Sequence, residues 1–411
     1  MAWQLYQGDC LEVLKQYPDN YFDSIVTDPP YELGFMGKKW DSTGIAYKVE
    51  LWQEVLRVLK PGGYLLAFGG TRTYHRMACA IEDAGFEIRD MIQWLYGSGF
   101  PKSLNIGKAV DKLQGGERIP YEREDFVKRS NKIEQRKSQC ICGEKGKYTK
   151  GFSEWEGWGT ALKPANEPIC LARKPLSEKT VAENVLKWGT GGINIDECRI
   201  EYKDGTTPKQ IMRKYTGSNV GKYSSTNAFG VKDIKCTSPG STLKGRFPAN
   251  ITLDEEAAKI LDEQSGISKD GGQGGASRFF YVAKASRKER NMGCEELENI
   301  KFTGGNYSQS PVCKDCGKTL NGTNDHSKCS EEVEYKEMKS KKIGNNHPTV
   351  KPIALMEYLV KLVSREGAIV LDPFAGSGST LIACKNLNRN YIGIEIDPEY
   401  IKIIKARLNE L

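Results

Sequence analysis

The 411-residue chain has 38% hydrophobic and 27% charged residues, which suits a globular enzyme long enough for two folding units. No uninterrupted apolar run approaches membrane-spanning length, so neither a transmembrane helix nor a signal peptide is expected, and a cytoplasmic location is expected. The net charge of +7 is uneven: Arg118 to Lys150 holds ten Lys/Arg against five Asp/Glu, which suits phosphate contacts or equally a solvated face.

In chain order, Trp3 to Tyr6 reads as a short strand ending at Gly8-Asp9, followed by a helical turn over Cys10 to Gln16. Phe22 to Thr27 is an apolar strand running into Asp28-Pro29-Pro30-Tyr31. Leu51, Val55, Leu56, Val58 and Leu59 have helical spacing, and Lys60-Pro61-Gly62-Gly63 is expected to stop that helix. Tyr64 to Phe68 then reads as a strand, Thr73 to Ala84 as a helix ended by Gly85, and Phe86 to Tyr96 as an extended run.

From Gly97 to Asn346 the texture changes. Glycines, lysines and polar residues dominate, and the apolar runs Ile169 to Ala172, Ile193 to Ile195 and Phe279 to Ala283 are short. Residues 97–346 are therefore expected to form an inserted domain. Regular signals return at His347: a helix over Pro352 to Val363, a strand over Ala368 to Leu371, a helix over Ser379 to Leu387, a strand over Tyr391 to Ile396 and a helix over Pro398 to Leu408. Alternation of strands and helices at both ends implies one α/β domain, 1–96 with 347–411, built on a largely parallel doubly wound sheet.

Ile369-Val370-Leu371 ends at Asp372, and Pro373-Phe374-Ala375-Gly376-Ser377-Gly378 leads into a helix near Ser379. Gly376 and Gly378 let the backbone turn tightly and approach a ligand. Glu395, at the end of the next strand, is placed to accept hydrogen bonds from ribose hydroxyls. The third glycine of the dinucleotide fingerprint is missing, and no Gly-Lys-Ser/Thr follows as in a P-loop. A plain glycine turn explains Gly-x-Gly alone; Asp372-Pro373-Phe374 ahead and Glu395 behind favour a cofactor.

Asp28-Pro29-Pro30-Tyr31 fits a different task. The exocyclic amino group of adenine or cytosine is a poor nucleophile, because its lone pair delocalises into the ring. A site that accepts hydrogen bonds from both N–H groups holds the nitrogen in line and stabilises the positive charge that develops. The Asp28 carboxylate suits one N–H and the Pro29 carbonyl the other, with both prolines fixing the backbone. Tyr31 offers an aromatic face to a base taken out of the duplex.

With these motifs in this order, the chain resembles the N4/N6 amino-DNA methyltransferases of prokaryotes and phages, in the permuted beta-class arrangement. Gly99 to Leu104, Leu162 to Ile169, Arg246 to Asn250 and above all His347-Pro348-Thr349-Val350-Lys351-Pro352 are similar to segments of that family. The resemblance implies a Rossmann-like S-adenosylmethionine-dependent methyltransferase sheet assembled from both chain ends, with a large inserted target-recognition domain. Asp28, Pro29, Pro30 and Tyr31 would be catalytic. Asp372, Phe374, Gly376 and Gly378 would line the cofactor, Glu395 would hold its ribose and Asp9 would lie near its adenine. Thr349 and Lys351 would lie beside its methionine end, with the α-carboxylate as a partner for Lys351. Asp at the first motif position favours adenine-N6 over cytosine-N4. Duplex DNA is the expected partner, with a homodimer and a cognate restriction endonuclease as further expectations. RNA or a protein glutamine as substrate, and an inactive DNA-binding relic, remain the rival readings.

The chain has twelve cysteines. Cys140-x-Cys142-Gly and Cys313-x-x-Cys316-Gly each resemble half of a zinc ribbon, and four thiolates would complete a tetrahedral structural site. Cys313, Cys316, His326 and Cys329 make a local alternative. Two metal-free thiol pairs remain the plain reading, and the family does not generally need a metal.

Overall fold

The computed structural model describes residues 3–34, 39–99, 103–121, 148–202, 245–266, 274–283, 287–295, 297, 309–313, 333–337 and 344–409. By its contacts the chain divides into two compact units, residues 1–95 with 167–411, and residues 96–166.

The larger unit is built on a sheet whose strands come from both ends of the chain and from its middle. In chain order they are β1 (Trp3–Gln7), β2 (Phe22–Thr27), β3 (Leu59–Phe68) and β4 (Glu87–Leu95). In the smaller unit a two-stranded antiparallel pair follows, β5 (Ile119–Tyr121) with β6 (Tyr148–Lys150). The sheet resumes with β7 (Asn166–Arg173), β8 (Ile251–Asp254) and β9 (Tyr281–Ala283), and a separate antiparallel pair is formed by β10 (Gln309–Cys313) and β11 (Val333–Glu337). The last two strands are β12 (Ile369–Asp372) and β13 (Asn390–Glu395).

The nine-stranded order is β1-β13-β12-β2-β3-β7-β4-β8-β9. Neighbours from β1 through β3 run parallel, and β7 is antiparallel to β3. The fold is therefore the expected doubly wound α/β type. Side chains alternate between its faces as the pleat requires. Leu65 and Ala67 of β3 pack with Leu51, Trp52 and Val55 of the helix Val49–Val58. Tyr64, Leu66 and Phe68 pack on the other face, in the cluster that holds Leu355 and Leu359 of the helix Ile353–Val363. Among the described residues no helix is long and apolar enough to cross a membrane.

Two features differ from the sequence reading. Lys60 to Gly63 ends the helix but does not delay the strand, because β3 already begins at Leu59. Phe22 pairs with Leu59 and Ser24 with Tyr64, so the extra residues form a bulge. Gly62 sits there at φ +78°, and a Cβ on Gly63 would lie 2.9 Å from the Asp23 carbonyl oxygen. The second difference concerns residues 97–346, expected to stand apart: β7, β8 and β9 extend the main sheet. Ile169 to Ala172 is apolar because β7 is an interior strand, fully covered on both faces. Ile193 to Ile195 forms no strand.

In the smaller unit the helix Ile106–Leu113 is capped by Asn105, whose side chain accepts from the Lys108 N–H at 2.8 Å. Arg118 pairs with Asp111 and, at 2.9 Å, with Glu156.

Candidate active site

Both loops singled out from the sequence leave the sheet at the carboxyl ends of adjacent strands. β2 and β12 are parallel neighbours, with Val370 opposite Ser24 and Leu371 opposite Ile25. Thr27 and Asp372 therefore finish side by side, and the Thr27 hydroxyl donates to Asp372 Oδ1 at 2.7 Å. The same oxygen accepts from the Phe374 N–H at 3.1 Å, which starts the turn of the glycine loop. Burial pushes the Asp372 carboxyl up to about 6, against the opposing hydrogen bonds.

The glycine loop closes on β13. Ala375 N–H donates to the Ile394 carbonyl at 2.9 Å, and Gly376 N–H to Glu395 Oε2 at 2.8 Å. The other Glu395 oxygen accepts from Asp397 N–H at 2.9 Å. Burial still dominates and pushes Glu395 up to about 7. Gly376 (φ +52°) and Gly378 (φ +78°) both have left-handed backbones, and Gly378 precedes the helix Ser379–Asn386. Behind the loop the fully buried Arg407 donates to the Ser377 carbonyl at 2.6 Å and to Ser379 Oγ at 3.3 Å. Asp9 caps the helix Cys10–Leu14 by accepting from Leu11 N–H at 2.8 Å. Because β1 is the parallel neighbour of β13, Asp9 and Glu395 open at the same edge.

Asp28 lies just past β2. Its Oδ2 accepts from the Lys351 ammonium at 2.7 Å, while its buried Oδ1 has no hydrogen-bond partner. Burial raises the Asp28 carboxyl, and Lys351 opposes that rise. Lys351 also reaches Glu167 Oε2 at 3.2 Å, and the Tyr31 hydroxyl donates to that oxygen at 2.8 Å. Burial alone would lower the Lys351 ammonium, but the Asp28 and Glu167 carboxylates raise it on balance. Lys351, expected beside the methionine end of the cofactor, is paired here with two carboxylates of the chain itself.

One cavity of about 640 Å³ is lined by Asp28, Pro29, Pro30 and Tyr31 together with Phe374, Gly376 and Glu395. Asp9, Thr349, Lys351 and Asp372 complete the sequence-selected lining. Gly378 stands outside it, with its missing Cβ turned toward Ile404. Four contributors escaped the sequence reading: Thr27, Glu167, His347 and Arg407. His347 and Glu167 lie in segments quoted for their resemblance, which was the available signal; no local pattern marks Thr27 or Arg407. Burial, reinforced by the Lys351 charge, pushes the His347 imidazole down to about 3, so it is neutral beside Gly376.

The expected metal ligands Cys140, Cys142 and Cys316 lie outside the described residues, as do His326 and Cys329; Cys313 is described only as the end of β10. Among the described residues no group of three or more His, Cys, Asp or Glu is arranged to hold a metal ion.

The donor set fits a nucleoside-type ligand. Glu395 uses two of its lone-pair positions on backbone N–H groups and retains others for hydroxyls. A glycine loop, a carboxylate on the next strand and a cavity outside the carboxyl ends of parallel strands define a doubly wound nucleotide-type site. The sequence places it more closely: residues 22–406 match the N6/N4 DNA methylase family, and the chain belongs to that family.

Over 363 residues it is 59% identical to the type II methyltransferase M.HindIII of Haemophilus influenzae, covering 88% of this chain and 68% of that one. The type II methyltransferase M.HpaI of Haemophilus parainfluenzae is 56% identical over 63 residues, 15% of this chain. The chain spans only 20% of the length of M.HpaI, and 27% and 26% of two further type II relatives. Among solved structures, the M1.HpyAVI–SAM complex covers 98% of this chain and 99% of its own, at 17% identity and a TM-score of 0.40.

Proposed function

We propose that this chain is a site-specific DNA methyltransferase that moves a methyl group from S-adenosylmethionine to the N6 amino group of adenine in duplex DNA. The observation that carries the reading is the buried, unpartnered Oδ1 of Asp28, a residue that lines the cavity shared with the glycine loop and Glu395. A buried carboxylate oxygen without a donor is costly unless a ligand supplies one. An exocyclic amino group does so.

Bound cofactor supplies an electrophilic methyl group on a sulfonium. The chain's own residues do the rest. Glu395 and Asp9 hold the nucleoside end, and Gly376 allows close approach of backbone. Asp28 Oδ1 would accept one N–H of a base turned out of the duplex and the Pro29 carbonyl the other, which would fix the direction of the nitrogen lone pair. Positive charge growing on the nitrogen would be stabilised by the Asp28 carboxylate, and the methylated nitrogen would then release one proton to solvent. Transfer is direct, so no cysteine nucleophile is assigned; Cys10, the cysteine in the cavity lining, has its thiol pushed up to about 12 by burial.

Residues between 97 and 346 are proposed to read the DNA sequence. A homodimer and a partner restriction endonuclease belong to the same proposal. The test is incubation with duplex DNA and isotopically labelled S-adenosylmethionine, followed by digestion to nucleosides and mass analysis. N6-methyl-2′-deoxyadenosine in the digest supports the reading; N4-methyl-2′-deoxycytidine moves the target base, and the absence of label from every DNA nucleoside overturns it.

A further inference from the structure

The two oxygens of Asp28 have different surroundings. Oδ2 is held by the Lys351 ammonium at 2.7 Å, and Oδ1 has no partner. Lys351 is itself confined. Its side chain is 6% exposed, its Nζ lies 3.2 Å from Glu167 Oε2, and its carbonyl accepts from Ser379 Oγ at 2.9 Å. The rings of Phe68 and Tyr31 lie under the ammonium at 5.0 and 5.3 Å. Glu167 in turn takes the Tyr31 hydroxyl at 2.8 Å, so Asp28, Lys351, Glu167 and Tyr31 form one closed cluster.

A carboxylate this deeply placed tends to keep its proton, and a protonated Asp28 is a poor acceptor for an amino N–H. An ammonium on Oδ2 counters that tendency and leaves Oδ1 for the substrate. Glu167 has two opposed effects: it anchors Lys351, and its like charge works against ionisation of Asp28. Asp372 also faces this cluster as a like charge, Tyr31 faces it with its hydroxyl, and neutral His347 lies on the Lys351 side.

We infer that Lys351 is a positioning residue for methyl transfer, which holds Asp28 ionised with Oδ1 presented to the target amino group, and that Glu167 sets how strongly it does so. The inference rests on the methyltransferase reading above. It departs from the assignment of Lys351 to the cofactor.

The test compares the wild-type chain with Lys351→Met and Glu167→Gln by two measurements. One is kcat against pH at saturating cofactor and DNA; the other is a carbon-13 titration of the Asp28 carboxyl, identified by its loss in Asp28→Asn. Removing the ammonium is expected to raise the acid-limb midpoint by about one pH unit or more, so that kcat falls up to about tenfold on the acid side of the profile and recovers at higher pH. Glu167→Gln keeps an acceptor for Tyr31 but removes a like charge, so its midpoint is expected to fall. The carboxyl titration should shift in the same two opposite directions. Affinity for S-adenosylhomocysteine should change less than about threefold in either variant.

Equal loss of kcat at every pH with unmoved midpoints would mean a purely structural role and overturn the inference. So would a Lys351→Met chain whose kcat stands while cofactor affinity collapses. If Lys351→Met does not fold, Lys351→Gln, which also removes the charge, is measured in its place with the same two outcomes. A wild-type chain that methylates no DNA sinks the functional reading alone, because the carboxyl titration needs no DNA.

Discussion

Thr27 and Asp372, 345 residues apart in sequence, share a 2.7 Å hydrogen bond inside the sheet. That bond joins the strand that delivers Asp28 to the strand that delivers the glycine loop. Replacing Thr27 by Val keeps the shape but leaves a buried carboxylate short of a donor, and is expected to cost about 1–3 kcal/mol of stability. It should also raise Asp372 further above its value of about 6. The deficit is therefore largest above neutral pH, where Asp372 is ionised, and shrinks toward pH 5 as the group takes up its proton. Urea unfolding of both chains at pH 5 and pH 8 measures this.

Cofactor affinity should follow the ionisation of Glu395. Burial holds this carboxyl at about 7, and ribose hydroxyls donate to its ionised form. Binding is accordingly expected to tighten as pH rises through about 7 and to weaken below it. Glu395→Gln should bind about tenfold more weakly at pH 8, the loss of one charge-assisted contact, with the pH dependence flattened. Calorimetric titration with S-adenosylhomocysteine across pH 6 to 8.5 checks both.

His347 makes the fold sensitive to acid. Its ordinary value is 6.5 and burial lowers it to about 3, so below 6.5 the unfolded chain takes up a proton that the folded chain refuses. This group's contribution is complete above 6.5 and is lost as pH falls toward 3, by about 1.4 kcal/mol per unit. Asp372 and Glu395 act with the opposite sign, since their raised values favour the folded state as pH falls. His347→Asn should therefore gain stability relative to wild type as pH falls from 6 to 4.5, as read from the difference in unfolding free energies.

Gly376→Ala tests the loop geometry. A Cβ there would lie 2.9 Å from His347 Nε2, on a backbone at φ +52° that costs an alanine about 1–2 kcal/mol. Either the loop shifts or the imidazole does, and Gly376 N–H then loses its aim at Glu395. The expected result is a lower melting temperature together with weaker S-adenosylhomocysteine binding; unchanged binding would place the ligand away from this turn.

Much of the fold is legible because its strands are short apolar runs closed by turn chemistry, as at Phe22–Thr27 and Ile369–Asp372. Both loops were visible for the same reason, since each follows such a run directly. The sequence is less clear where pairing is decided at long range. Nothing local says that Ile169 to Ala172 inserts between β3 and β4 rather than into a separate domain. Glu167 and Lys351 are likewise unreadable as a pair, because their meeting depends on β7 lying antiparallel beside β3. Thr27 looks like one more β-branched strand residue until Asp372 appears beside it.

The central claim is that Asp28 acts on the amino group while the glycine loop independently holds the cofactor. Asp28→Asn separates the two, because an amide retains the size of the side chain and loses the charged acceptor. Single-turnover methylation of duplex DNA should fall by about 10²–10³ or more, with S-adenosylhomocysteine affinity within a few-fold of wild type. Full methylation by this variant, or loss of cofactor binding in step with activity, would contradict the account.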